Sequence, residues 1–156
     1  MRVLLIILAL FAQLIAGPAN DLVQGTFQSD KDATVARWEK DQPWGKKTWL
    51  IIYKLGPMLG VKRITMKNGK SHSVSGDFTE DSDYRIVKEQ EKELVIQQFS
   101  QVLNRQFTSR IVPDKTGYWI YSDALFPGYM ERYRRIDKSA EQGVDGKPPQ
   151  APQPPR

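Results

Sequence analysis

The sequence predicts a mainly-β domain, an eight-stranded up-and-down barrel with a short helical insertion after the first strand, and three observations carry that expectation. From Leu59 onward, short segments of strand character recur at regular spacing between turn signals. Asn68-Gly69 separates two of them, and this dipeptide tolerates the positive φ angles that a tight type I′ hairpin needs. Upstream, within residues 22–38, an apolar stretch, a turn and a capped helix follow one another.

Arg2 precedes the apolar run Val3 to Leu10, which Phe11, Leu14 and Ile15 continue into small residues. That is the charged, apolar, small order of a secretory signal peptide, and residues 1–19 are read as one, cleaved after Ala19. An uncleaved anchor would need about 20 apolar residues, and Gln13, Gly17 and Pro18 interrupt this run. Pro18 also stands where a lipoprotein leader would carry its lipidated cysteine. The chain has no cysteine at all, so an exported domain must hold together by core packing alone. This suits a bacterial periplasm; the expected location is exported, periplasmic or extracellular.

In chain order, Leu22 to Phe27 reads as the first strand, with Ser29 placed to cap the following helix and Asp30 and Asp32 favourably set on its N-terminal dipole. Asp30 to Lys40 is the helix, carrying Ala33, Val35, Ala36 and Trp38 and ended by Asp41-Gln-Pro43. Thr48 to Leu55 is apolar nearly all round and accepts either a buried strand or a short buried helix. Strands are expected at Leu59 to Lys67, Lys70 to Ser75, Tyr84 to Lys88, Glu93 to Phe99, Gln106 to Val112, Tyr118 to Ser122 and Met130 to Ile136. Gly76 to Asp83 reads as a polar connection, Pro113 to Gly117 as a hairpin turn and Ser122 to Tyr129 as a loop. The barrel domain thus covers 20–137, and the proline-rich composition of 138–156 marks a disordered tail.

Gly25-Thr-Phe27-Gln-Ser-Asp-Lys31, Tyr118-Trp-Ile and Glu131-Arg-Tyr-Arg-Arg-Ile136 together resemble bacterial exported lipocalin-like proteins, calycin-type barrels that mostly have no assigned activity. The resemblance covers residues 22–137 and favours a helix at Thr48 to Leu55, which makes the expected insertion after the first strand a short two-helix insertion. In lipocalins proper, a Gly-x-Trp on the first strand packs against an arginine of the last strand and plugs the closed end. The resemblance therefore implies a structural role for Gly25 and for Phe27, which replaces the tryptophan, with Arg134 or Arg135 as the partner.

Specific support for catalysis is absent from the sequence, and the chain is read as a non-enzyme without cofactor. His72, the only histidine, lies between Ser71 and Ser73, but neighbours on a strand point to opposite faces, which turns both hydroxyls away from the imidazole. One histidine without cysteine falls short of the about three or four protein ligands that a zinc site draws mainly from these residues. Asp77 to Asp83 is acidic but lacks the spacing and glycine of a helix-loop-helix calcium loop. The net charge of +5 is mild and mostly interleaved, so no nucleic-acid partner is expected. A small amphipathic or apolar ligand is the preferred expectation, with Trp49, Ile52, Tyr53 and Phe126 near the mouth as candidate contacts. Gln98 and Arg110 are polar residues that break the strand alternation. The rival is a filled barrel acting as an envelope scaffold, whose basic patches and aromatics meet an anionic surface or a protein.

Overall fold

The computed structural model describes residues 18–136. Eight antiparallel strands pair in chain order and close, the last returning to the first. They are β1 (Gly25–Ser29), β2 (Arg63–Lys67), β3 (Lys70–Ser75), β4 (Phe78–Gln90), β5 (Glu93–Ser100), β6 (Arg105–Asp114), β7 (Gly117–Ser122) and β8 (Tyr129–Arg135). Helix α1 (Pro18–Val23) precedes β1, and α2 (Lys31–Asp41) and α3 (Thr48–Leu55) lie between β1 and β2, with single 3₁₀ turns at Gly45–Lys47 and Gly56–Met58. The leader expected at 1–19 and the tail expected at 138–156 fall outside the described residues, apart from Pro18 and Ala19.

The first strand is shorter and later than the sequence suggested. Leu22 and Val23 belong to α1, whose Ala19 and Val23, one helical turn apart, are buried with Phe27, Tyr84, Leu94, Ile111 and Tyr118. This helix plugs one end of the barrel, so its apolar residues read as strand although they face a core from a helix. The same end is tied by Arg135. Its guanidinium lies 4.8 Å from the Phe27 ring centroid, while Nη1 donates to Gln24 O at 2.9 Å and Nη2 to Leu22 O at 2.6 Å. A side chain at Gly25 would meet that guanidinium, since a Cβ there would sit 2.6 Å from Arg135 Nη1. Arg134, one residue back and on the opposite face of β8, is exposed.

The helix cap also differs from expectation. Asp30, in extended conformation, accepts from Ala33 N at 3.1 Å, whereas the Ser29 hydroxyl turns inward as the last residue of β1. Beyond Ser29 the chain leaves the sheet, and the backbone of β8 loses its strand partner there. Side chains and backbone of α2 take over: Asp30 N donates to Arg132 O at 2.8 Å, Arg132 N donates to Thr34 Oγ1 at 2.9 Å and Trp38 Nε1 donates to Met130 O at 2.9 Å. Thr34 and Trp38, one turn apart, are the buried residues of α2. Trp38 heads a second apolar cluster outside the barrel, with Leu59 and Met130 and the flanking Val35, Trp44, Ile51, Ile52 and Leu55.

Asn68 and Gly69 adopt positive φ of 51° and 78°, and β2 and β3 pair directly across them, Lys67 opposite Lys70. Residues 76–83, expected as a connection, instead contain only a tight turn, and β4 begins at Phe78. Their polarity misled because at this end of the barrel even inward positions, Glu80 and Ser82, are polar. Thr48 to Leu55 is a helix, as the resemblance favoured.

Candidate functional site

Strand alternation sends one set of side chains into the barrel. Toward the plugged end these are large and apolar: Phe27, Leu94, Ile96, Ile111 and Tyr118 are essentially inaccessible to water. Phe27 meets Tyr118 edge-on at 4.7 Å, and Tyr118 stacks on Tyr133 at 5.3 Å. Toward the other end the same faces carry Ser71, Ser73, Ser75, Ser82, Gln98, Ser100, Ser109 and Ser122. Small side chains there leave a cavity of about 270 Å³ inside the barrel. Its mouth is ringed by Phe78, Val102 and Leu125, each roughly half exposed.

A single acid reaches into this interior from the last strand. Glu131 is 6% exposed and lines the cavity. Its Oε1 accepts from Ser29 Oγ at 2.5 Å, and its Oε2 accepts from Tyr129 Oη at 2.7 Å and Tyr133 Oη at 2.8 Å. Ser29 Oγ is itself oriented by the N–H of Gly60, which donates to it at 2.8 Å. All three hydroxyls therefore point their protons at the carboxylate. Burial, and then the charge of Glu131, pushes the Tyr133 and Tyr129 phenols well above their ordinary value, so both stay protonated donors. Tyr118 is raised for the same two reasons.

Ser109, 1% exposed, has a buried Oγ without a hydrogen-bond partner among the described residues. It faces the cavity from β6, in register with Ser122 of β7, while Ile120 of β7 stands in register with Glu131. Glu80, at the rim, is committed to the β5–β6 turn, where its Oε1 accepts from Ser100 Oγ and Gln101 N, both at 2.8 Å. Lys62 is the basic residue among the described lining.

The residues singled out in the sequence sit elsewhere. Trp49 and Tyr53 are 68% and 76% exposed on α3. Ile52 joins the outer cluster around Trp38, and Phe126 shares an external groove with Trp44, Ile51, Leu55 and Pro127. None of the four lines the interior cavity. Gln98 does, whereas Arg110 faces outward, its guanidinium 3.9 Å from the Tyr121 ring centroid and 3.3 Å from Glu93 Oε2. Glu131 and Ser109 were missed. The signal for Glu131 was its parity with Tyr133 and Arg135, since an inward arginine at the plugged end puts residue 131 inside as well.

His72 is half exposed on the outer face, with Nδ1 2.7 Å from Asp81 Oδ1, the residue opposite it on β4. Ser71 and Ser73 turn into the barrel. The hollow around His72 is larger, about 580 Å³, but is built from exposed Lys67, Lys70, Asp81 and Asp83, which water solvates. No grouping of three metal-ligating side chains occurs among the described residues. No described helix is long and apolar enough to cross a membrane. No family model, curated protein or solved structure matches the chain.

Proposed function

We propose that this chain is an exported lipocalin-like protein that holds a small amphipathic or apolar molecule inside its barrel. The cavity of about 270 Å³ carries this reading. It lies just below the ~300 Å³ at which small-ligand pockets begin, and it combines apolar walls with a few convergent polar groups as such pockets do. A filled scaffold would place branched aliphatic residues where Ser73, Ser100, Ser109 and Ser122 stand. The apolar rim of Phe78, Val102 and Leu125 gives an apolar molecule a path inward. Kinship with bacterial exported lipocalin-like proteins draws support from the closed barrel and from Arg135 stacked on Phe27. Export with cleavage after Ala19 would remove the buried Ala19 from α1 and leave Val23 as its core residue, with the new ammonium of Asn20, whose N–H donates to Glu89 Oε1 at 3.2 Å, facing that carboxylate.

Titration of the protein with a panel of short-chain amphiphiles, followed by calorimetry and melting temperature, tests the reading. Binding to the folded state should be saturable and should raise the melting temperature. Ser109→Phe, which fills the cavity, should abolish both responses while the variant stays folded. If no member of the panel binds, the carrier reading fails.

A surface-contact role has an observation of its own. Between Gln42 and Gly76 the chain carries Lys46, Lys47, Lys54, Lys62 and Arg63 among its basic residues and no acid. The same segment exposes Trp49, Tyr53 and Met58. Cations interleaved with exposed aromatics suit an anionic envelope surface. Sedimentation with phosphatidylglycerol vesicles, but not with phosphatidylcholine vesicles, should pull the protein down, and Trp49→Ala with Tyr53→Ala should release it. Equal sedimentation with both lipids would remove this role.

A further inference from the structure

Glu131 lacks a counter-ion among the described residues: the arginine–carboxylate pairs there are Arg37 with Asp41, Arg110 with Glu93 and Arg132 with Asp114, and His72 meets Asp81. Its three hydroxyl partners supply dipoles and no positive charge, which leaves a buried carboxylate hydrogen-bonded but not neutralised. A carboxylate offers about four acceptor positions, and the hydroxyls occupy two on Oε2 and one on Oε1. One position on Oε1 stays free. Two strands along the same wall, Ser109 Oγ is a buried polar atom with no hydrogen-bond partner among the described residues. The protein thus leaves unmet, inside one cavity, a need for positive charge and a need for hydrogen bonds.

Resting on the carrier reading, we infer that the barrel selects amphiphiles with a protonated amine: the ammonium seats on the free side of Glu131 Oε1, and the apolar body lies against Ile96, Ile111 and Ile120. An ammonium has three protons to give, so one can meet Glu131 while others stay available for a hydroxyl such as that of Ser109. A carboxylate head at the same place would meet repulsion from Glu131. A fatty acid inserted the other way, head toward Lys62 at the mouth, would bury its apolar end against the charge of Glu131. Neutral alcohols can hydrogen-bond there but do not neutralise it.

Three probes of equal length separate these cases: n-octylamine, 1-octanol and octanoate, each titrated calorimetrically into the full chain near neutral pH. Octylamine should bind at least tenfold more tightly than octanol, and octanoate more weakly than either. Glu131→Gln keeps the shape and removes the charge; it should cost octylamine at least tenfold and leave octanol little changed. Ser109→Ala, a smaller change that spares the hydroxyl cluster, should weaken octylamine severalfold and so covers the case in which Glu131→Gln does not fold. Binding of all three probes with equal affinity, or octylamine affinity unchanged in both variants, overturns amine selection while the carrier reading stands. No binding by any probe overturns both.

Discussion

The indole N–H of Trp38 donates to the backbone carbonyl of Met130 at 2.9 Å, so a helix side chain completes a strand edge that β1 no longer covers. Trp38→Phe keeps most of the apolar volume but leaves that buried carbonyl without its donor, and should cost about 1–3 kcal/mol. Thr34→Val removes the neighbouring acceptor of Arg132 N and should cost a similar amount, about 1–3 kcal/mol. Urea denaturation of each variant measures both. Losses below a few tenths would show that water satisfies these groups in place of α2.

Gly117 opens β7 where a Cβ would stand 2.0 Å from Tyr133 O on β8, a backbone atom that cannot move aside alone. Gly117→Ala should therefore destabilise the barrel by about 3 kcal/mol or more. Gly45→Ala is the contrasting case for space, since nothing lies within 4 Å of where its Cβ would stand, and only its φ of +54° is strained. Thermal unfolding should rank Gly117→Ala well below Gly45→Ala.

How far the sequence foretold this depends on where each residue points. Asn68-Gly69 was legible because its turn needs positive φ, a local demand met by local residues. Of the Phe78–Gln90 strand only Tyr84 to Lys88 was, because its inward face passes from Glu80 and Ser82 to Tyr84, and polar residues lining a cavity look like a loop. Ser29 and Asp30 both suit a helix cap, and only the inward turn of Ser29 toward Glu131 decides between them. The cavity itself depends on serines from strands far apart in sequence, so no local pattern announces it.

Tyr118, Tyr129 and Tyr133 are held protonated by burial and by the charge of Glu131. Their folded values lie above the unfolded value of 10.0, so the stability they contribute is intact below that pH and falls as the pH rises beyond it. Alkaline titration followed by tyrosinate absorbance should show these phenols ionising only as the barrel unfolds. Ionisation of all tyrosines while near-ultraviolet circular dichroism stays native would contradict their protected state.

Asp114 moves the other way. Partial burial works against its charge, but hydrogen bonds from Arg132 and from the side chain and backbone of Thr116 outweigh it and lower the carboxyl from 3.8 to about 2. Its contribution is therefore present above 3.8 and lost as the pH falls toward about 2. Asp114→Asn should be less stable at neutral pH and should lose less stability than the parent between pH 4 and 2. Denaturation curves across that range that remain parallel for the two proteins would count against the Asp114–Arg132 pairing.

Native mass spectrometry of the protein, purified without detergent from the cells that make it, tests most directly whether the barrel carries a ligand. A bound small molecule of defined mass, present in the parent and missing from Ser109→Phe, is the expected result. The bare polypeptide mass in both, together with no saturable response to octylamine, octanol or octanoate, would contradict it.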